Sequence, residues 1–261
     1  MPAYLEALGQ HQLQGHDGGT AVNVAYEAIQ AHEERLSSLL LDYLDARAIT
    51  LTAIWITHHH PDHVGGIAEL LERWQLPVYG PAGSPAEAQF SHSLRAGDQL
   101  ELGGIGFKVL AIPGHTLDHI AYYAATSGQL FCGDTLFAGG CGRVFEGTYA
   151  QMHESLQQLA ALPATTAVYC AHEYTLANLA FAVAAEPDNR ALQQRVSEAQ
   201  QRRSQALPTV PSTIGLELAT NPFLRCHQPG IAATLSARGA TWQTASDAER
   251  FAALRSWKDS F

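Results

Sequence analysis

The sequence of 261 residues contains few cysteines, and their spacing shows no pairing pattern. None of the four lies in the C-x-x-C spacing of a zinc finger or a redox site. Two of them end apolar runs, as buried free thiols often do. A disulfide-rich secreted scaffold is therefore excluded, and we expect free thiols in a reducing compartment. The four are Cys132, Cys141, Cys170 and Cys226.

Other common signals are also missing. The N-terminus has no basic stretch followed by an apolar segment, and no window is long and apolar enough to span a bilayer. We therefore expect a cytoplasmic protein with no membrane contact. The 15 basic residues are outnumbered by 25 acidic ones, which argues against general binding to nucleic acid. A local cluster of Arg and Lys can still bind a small anionic substrate. The sequence leaves the oligomeric state open, and a monomer is our working expectation.

The order of predicted elements changes along the chain. Strand-like runs and helical patterns alternate as far as residue 172, which predicts a sheet packed against helices. Residues 173–261 look mainly helical, with Asp188 as a plausible N-cap and a capping box from Ser246 to Glu249. The predicted strands are residues 51–57, 106–112, 119–124, 129–134 and 166–172, and a helix is predicted at 149–161.

Histidine is abundant, with 13 residues, and three of them are consecutive. They lie in the segment Thr57-His-His-His-Pro-Asp-His, directly after a predicted buried strand. Because residues two apart in an extended segment point the same way, His58 and His60 can bind one ion. Asp62 and His63, beyond the proline, can bind a second. A surface histidine run is the alternative, but such a run lacks the strand before it and the Gly-Gly-helix pattern after it.

Three further candidate ligands follow later strand-like runs. They are His115 in PGHT, Asp134 in CGDT and His172 in CAHEY. A single His or Asp in such a place is more often a capping or hydrogen-bonding group. Together with the first motif, however, the three complete two sites, and Asp134 is placed to bridge them.

Imidazole and carboxylate ligands suit zinc, iron or manganese rather than calcium. We expect two divalent ions, with zinc first among these alternatives. Two cations about 3.5–4 Å apart can share one water, acidify it and stabilise an oxyanion. No G-x-S-x-G motif is present, and no cysteine lies beside a candidate base. The pattern therefore predicts hydrolysis of an ester-like, amide or phosphoester bond by a bridging hydroxide.

The pattern T-H-x-H-x-D-H with later His, Asp and His resembles the metallo-β-lactamase superfamily. This resemblance implies an α/β fold, the αβ/βα sandwich, with the metals at one edge. More specific segments resemble glyoxalase II, the hydroxyacylglutathione hydrolases. These segments are THHHPDHVGG, PGHTLDHI, LFCGDTLFAGGCGRVFEGT, CAHEYTLANLAFA, NPFLR and RSWKD. The family hydrolyses S-(R)-lactoylglutathione to lactate and glutathione, the second step of methylglyoxal detoxification.

The resemblance also implies roles for particular residues and a division of the chain. Residues 40–172 correspond to the metallo-β-lactamase-like domain, and residues 173–261 to a smaller helical domain that binds substrate. Asp62 and Asp134 are the expected catalytic carboxylates. One metal is expected on His58, His60 and His115, the other on Asp62, His63 and His172, with Asp134 bridging. The expected glutathione-binding residues are Arg143, Phe145, Tyr174, Arg255 and Lys258.

The sequence departs from the family pattern in two places. The family usually has Lys at the position of Arg143 and Tyr at that of Phe145, so one hydroxyl contact to glutathione is missing. Residues 1–39 do not match the family's N-terminal strand hairpin. They are either a divergent start or the product of a shifted reading frame, and we expect residues 1–20 to be poorly ordered.

Other functions share the same signature. A lactonase, a one-iron sulfur dioxygenase or a nuclease is the first alternative. The acidic charge weighs against a nuclease, and the complete second set of ligands weighs against a single iron. A metal-binding but inactive homologue is the second alternative, and only the unusual N-terminus supports it.

Overall fold

The structure, a computed structural model, describes residues 41–261 except 47, 49, 240, 241 and 243. The expectations for residues 1–39 lie outside the described residues. The described residues form two contact units. The first comprises those up to Ala111 together with Asp118–Ser127, and the second comprises Ile112–Leu117 and Gly128–Phe261.

The first unit contains a small parallel sheet. Its order is β1-β2-β3, and its strands pair in parallel because helices and turns cross over between them. Ile54 and Trp55 of β1 are buried, as the apolar run predicts. The elements are β1 Ile54–Trp55, α1 Pro61–Val64, α2 Ile67–Arg73, β2 Val78–Pro81, a 3-10 turn Glu87–Gln89 and β3 His92–Leu94.

The first unit also contains an antiparallel run of three strands, β4 Gln99–Leu102, β5 Ile105–Ala111 and β6 Ile120–Ala124. Trp55 joins the two sheets of this unit. Its ring packs edge-on against Phe107 at 4.8 Å and stacks on Tyr122 at 4.7 Å. These aromatic contacts, together with the burial of the rings, hold β1 in place beside β5 and β6.

The second unit contains a short parallel pair with an antiparallel neighbour, as well as a separate hairpin. The carboxyl ends of the parallel pair, β7 and β10, carry the chain to Asp134 and His172. The elements are β7 Gln129–Phe131, the hairpin β8 Leu136–Phe137 and β9 Gly140–Cys141, α3 Tyr149–Ala160, β10 Ala167–Tyr169 and β11 Ser212–Thr213.

The predicted helical character of the C-terminal part is confirmed. Ser246 and Glu249 form the predicted capping box. The prediction of Asp188 as an N-cap is wrong, because the side chain of Asn189 accepts the hydrogen bond from the Leu192 N–H. The helices are α4 Thr175–Ala185, α5 Arg190–Ser204, α6 Ile214–Thr220, α7 Pro229–Ala237 and α8 Asp247–Asp259.

Side chains from these helices bind the backbone of the β8–β9 hairpin. The Gly139 N–H donates to Glu217 Oε2 at 2.9 Å. Asn221 Nδ2 donates to the Gly140 carbonyl at 2.8 Å, and Asn178 Nδ2 donates to the Ala138 carbonyl at 3.2 Å. Because buried backbone groups are costly to leave unpaired, these contacts fix the path of the hairpin.

Behind the hairpin lies a buried ion pair between Arg195 and Glu217. Arg195 also donates to Thr220 Oγ1 at 2.6 Å and to Ser212 Oγ at 3.1 Å. Such a pair is stable only while both charges and their hydrogen bonds are present. The helical region is therefore anchored to the hairpin through a charged network.

None of the four cysteines forms a disulfide, as predicted. All four are buried, which the sequence indicated for Cys132 and Cys170. Among the described residues, no helix combines the length and apolar character needed to cross a membrane.

Replacing Arg195 by Met should leave the buried Glu217 carboxylate without its counter-charge. We expect Arg195→Met to lower the free energy of unfolding by about 3–5 kcal/mol in urea denaturation followed by circular dichroism. Arg190→Met is the control, because Arg190 is exposed at the start of the same helix. That change should stay within about 0.5 kcal/mol of the parent. Equal losses for the two variants would contradict the role of the ion pair.

Candidate functional site

The histidine-rich motif begins where strand β1 ends. The chain remains extended after Trp55, and the Ile56 N–H donates to the Tyr79 carbonyl at 2.8 Å. The Ile120 N–H then donates to the Thr57 carbonyl at 2.9 Å. Two neighbouring strands therefore hold the backbone on either side immediately before His58, and the direction in which the motif leaves the sheet is fixed.

Helix α1 gathers the four candidate ligands of the first unit. Pro61 occupies the first helical turn, and the His63 N–H closes that turn on the His60 carbonyl at 2.8 Å. The ring centroids of His58 and His63 are 4.0 Å apart, and those of His58 and His60 are 4.7 Å apart. His63 Nε2 lies 3.6 Å from an oxygen of Asp62. The structure thus brings all four together, with His58 and His63 fully buried.

His59, between two candidate ligands, points elsewhere. Its Nδ1 lies 3.0 Å from Asp118 Oδ1. The ring of His119 stacks on that of His58 with centroids 4.6 Å apart. Asp118 and His119 therefore pack around the candidate ligands and orient them.

In the second unit, the Asp134 carboxylate lies between two imidazoles. Its Oδ2 is 3.6 Å from His115 Nε2, and its Oδ1 is 3.4 Å from His172 Nε2. Asp134 and His115 are buried, and His172 is nearly so. One oxygen thus lies close to each histidine, so the structure brings these three candidate ligands together.

The protonation of His115 follows from its second nitrogen. Nδ1 lies 2.7 Å from the Arg143 carbonyl oxygen, which can only accept a hydrogen bond. Nδ1 must therefore carry the proton, which leaves the lone pair on Nε2 for a metal. The backbone at residue 143 thereby helps to define a candidate ligand 28 residues earlier.

Gly142 allows this close approach. A Cβ atom at this position would lie 1.8 Å from the Asp134 carbonyl oxygen and 3.3 Å from His115 Nδ1. Any side chain would push the Arg143 segment away from both candidate ligands.

Three of the candidate substrate-binding residues lie beside these ligands. Phe145 packs edge-on against the His115 ring with centroids 5.3 Å apart, and the Arg143 guanidinium lies 5.6 Å from the Phe145 ring centre. Tyr174 stacks on His172 at 5.0 Å. The aromatic side chains are 60% and 48% exposed, so a ligand can contact both.

The other two candidates come from helix α8. Arg255 is buried and donates to the Cys141 carbonyl at 3.0 Å and to Asp259 at 3.1 Å. Its Nε is buried and makes no hydrogen bond within the described part of the chain. Arg143 Nε lies 3.5 Å from the same Asp259 oxygen. The structure therefore collects Arg143, Arg255 and Lys258 into one cationic cluster.

Lys258 lies on the same helix face as Arg255. The pKa of its ammonium group is lowered to about 8, mainly by burial and also by the nearby charge of Arg255. The nearby Cys141 and Asp259 act in the opposite direction. A basic group with a lowered pKa in a partly open cluster is a candidate for binding an anion.

The residues present fit divalent metals. The first unit offers three histidines and one aspartate, and the second offers two histidines and one aspartate. Neutral imidazole and carboxylate are the ligands that zinc, iron and manganese accept. Burying several imidazoles side by side in an apolar core is costly, because their polar ring nitrogens need partners. A bound cation would supply such a partner.

Three further functional residues were not singled out from the sequence. Asp118 contacts His59, Asp259 contacts both arginines, and Asn178 contacts Lys258. Each is a common polar residue with no metal-ligand spacing of its own. The segments PGHTLDHI, CAHEYTLANLAFA and RSWKD contain one each, so the resemblance marks the regions but not these contacts.

Two family models match adjacent parts of the chain. The model described as "Metallo-beta-lactamase superfamily" matches residues 17–172. The model described as "Hydroxyacylglutathione hydrolase C-terminus" matches residues 173–261. The first match begins within residues 1–39, the segment set apart on sequence grounds.

Curated relatives are similar over most of the chain. A hydroxyacylglutathione hydrolase of Photobacterium profundum is 52% identical over 85% of this chain and 86% of its own length. One from Chromohalobacter salexigens is 51% identical over the same shares.

Among solved structures, ETHE1 from Myxococcus xanthus has a TM-score of 0.55 at 26% identity, covering 84% of this chain and 85% of that chain. TTHA1623 in a di-iron-bound form has a TM-score of 0.51 at 28% identity, with coverages of 75% and 88%.

These matches confirm the expected fold class, a metallo-β-lactamase fold followed by a helical C-terminal region. The alignment with each of these two relatives covers 86% of the relative's own length. The two family models match adjoining segments of the chain. The chain belongs to the metallo-β-lactamase superfamily and, within it, to the hydroxyacylglutathione hydrolase family.

Proposed function

We propose that this chain hydrolyses S-(R)-lactoylglutathione and related glutathione thioesters to glutathione and a hydroxy acid, using two divalent metal ions. Its family membership makes it a metal-dependent hydrolase. The observation that carries the proposal is the placement of Asp134 between His115 and His172, beside a cationic and aromatic cluster. The relatives are named for the same activity.

In this proposal each metal takes ligands from the first motif and from a later strand end. By the family resemblance, His58, His60 and His115 would bind one ion, and Asp62, His63 and His172 would bind the other. Asp134, which lies close to both His115 and His172, would be the ligand shared by the two ions. Zinc is the preferred metal, and iron and manganese suit the same ligands. The likeness to a protein solved in a di-iron-bound form supports a dinuclear site.

When bound, the two ions acidify a shared water and stabilise negative charge on the thioester carbonyl oxygen. The protein itself orients the candidate metal ligands. The Arg143 carbonyl fixes the His115 tautomer, and Asp118 accepts from His59 next to two ligands. The leaving thiolate is a stable anion, so little acid assistance is needed.

The cationic cluster provides the recognition of glutathione. Its glycine carboxylate would be bound by Lys258, Arg143 and the buried guanidinium of Arg255. Arg255 is buried and paired with Asp259, and Lys258 donates to Asn178, so these two side chains would lose little conformational entropy when a carboxylate binds. Phe145 and Tyr174 would then flank the thioester beside the ligands that they contact.

We further propose that residues 40–172 carry the metal site and residues 173–261 form the substrate-binding domain. The boundary between the two family models supports this division. A cytoplasmic monomer remains our expectation, in keeping with the buried free thiols.

Metal removal tests the proposed chemistry. We expect hydrolysis of lactoylglutathione, followed by absorbance, to be abolished by chelation and restored by zinc, iron or manganese. Elemental analysis of the purified protein should give close to two ions per chain. Turnover that persists after verified metal removal would contradict the mechanism. Metal-loaded protein that turns over no glutathione thioester would contradict the proposed substrate.

Phe145 supplies a second test, because it lacks the hydroxyl that the family usually has at this position. We expect Phe145→Tyr to lower the KM for lactoylglutathione by about two- to fivefold, as one added hydrogen bond would. The kcat should change little, since the chemistry depends on the metals. Leu117→Ala is the control, because Leu117 is also an exposed apolar residue and is not assigned to substrate binding. An unchanged KM in Phe145→Tyr would count against a glutathione contact at this position.

The lowered pKa of Lys258 predicts a pH dependence of binding. As the pH rises through about 8, Lys258 loses its proton and its attraction for the substrate carboxylate, so the KM should rise several-fold between pH 7 and pH 9. Lys258→Arg stays protonated over this range and should flatten that rise. The same steep rise in Lys258→Arg would show that another group controls it.

A further inference from the structure

Asn178 occupies the first turns of helix α4 and is buried, with a relative exposure of 2%. Its Oδ1 accepts a hydrogen bond from Lys258 Nζ. Its Nδ2 donates to the Ala138 carbonyl at 3.2 Å. A single amide therefore links the cationic cluster to the hairpin that leads from Asp134 to Arg143.

The orientation of this amide is determined by its neighbours. The Lys258 ammonium can only donate and therefore requires the amide oxygen, whereas the Ala138 carbonyl can only accept and requires the NH2 group. The two requirements agree. Gly140 closes the remaining side, because a Cβ there would lie 2.5 Å from Asn178 Cγ. The amide is thus held rigidly before any ligand binds.

We propose that Asn178 is a positioning residue for substrate binding, acting through Lys258 to direct its ammonium group at the terminal carboxylate of the substrate. This inference rests on the proposed function. Asn178 itself does not contact the substrate in this account.

The physical need for such a residue comes from the Lys258 side chain. Its four-carbon stem has many rotamers, and ordering it costs conformational entropy. A fixed acceptor oxygen within the protein orders the stem before substrate arrives. The neutral amide also leaves the positive charge of Lys258 available, whereas a carboxylate in the same place would neutralise it.

Asn221 offers a matched comparison within the same unit. It too is a buried asparagine, and its Nδ2 also donates to the hairpin, at the Gly140 carbonyl. Its other partners are the Phe137 carbonyl, Glu217 and the Phe223 N–H, and none of its described contacts reaches Lys258. Asn221 therefore shares the structural role of Asn178 without the proposed positioning role.

The experiment uses the full-length, metal-loaded protein with two substrates. One is lactoylglutathione, and the other is its analogue with the glycine carboxylate converted to an amide. We expect Asn178→Ala to raise the KM for lactoylglutathione about tenfold, as losing a hydrogen bond to a charged group would, with a smaller change in kcat. For the amide analogue the KM should change less than about twofold, because that substrate lacks the carboxylate that Lys258 binds. Asn221→Ala should change the KM for the two substrates by the same factor. This should hold even if Asn221→Ala lowers the midpoint of thermal unfolding more than Asn178→Ala does.

Two further measurements separate positioning from folding. In a double-variant cycle with Lys258→Ala, the Asn178→Ala change should add little to the KM, because its partner is already absent. Calorimetric binding of glutathione itself should weaken in Asn178→Ala to the same extent as the KM rises. Equal effects of Asn178→Ala on the two substrates, or full additivity with Lys258→Ala, would overturn the inference. A parent enzyme that turns over neither substrate would instead refute the proposed function.

Discussion

The Asp134 carboxylate, with one oxygen directed at His115 and the other at His172, is the contact on which the rest of the site depends. His115 and His172 could share cations with this carboxylate only if each imidazole kept the lone pair of its Nε2 atom available for a metal. For His115 this is ensured by the hydrogen bond from Nδ1 to the Arg143 carbonyl. Gly142 makes that bond sterically possible. The orientation of this candidate ligand therefore depends on a few backbone atoms in the segment after Asp134.

The helical C-terminal region holds this segment in place and also carries three of the candidate substrate-binding residues. Three of its helices, and the residue after α6, provide polar side chains that form hydrogen bonds with the β8–β9 backbone. One of these side chains, Glu217, is also paired with the buried Arg195. Because the same helices carry Lys258, Arg255 and Asn178, one set of contacts fixes both the hairpin and the cationic cluster. The placement of these groups on packed helices rather than on loops favours a preorganised site.

The sequence indicates the candidate ligands because they follow strands and have distinctive spacing. His58 and His60 alternate in an extended segment, and Pro61 starts the short helix that turns His63 back toward them. The start of the last helix was also well predicted from its cap, Ser246. Asp188 was wrongly chosen over Asn189 because two good capping residues are adjacent and only the path of the chain decides between them.

The supporting polar residues could not be predicted in the same way. Asp118, Asn178 and Asp259 each act through a partner that is distant along the chain, and Asp259 also contacts the preceding helical turn. Such contacts leave no local pattern in the sequence, because only the folded chain brings the two partners together.

The central claim concerns a metal pair held together by Asp134, and its most direct test is metal stoichiometry in solution. Apoprotein titrated with zinc in a calorimeter should bind two ions per chain, and Asp134→Ala should lose at least one of them while keeping the parent's circular dichroism spectrum. Binding of a single ion by the parent protein, or of two ions with unchanged affinity by Asp134→Ala, would contradict the account.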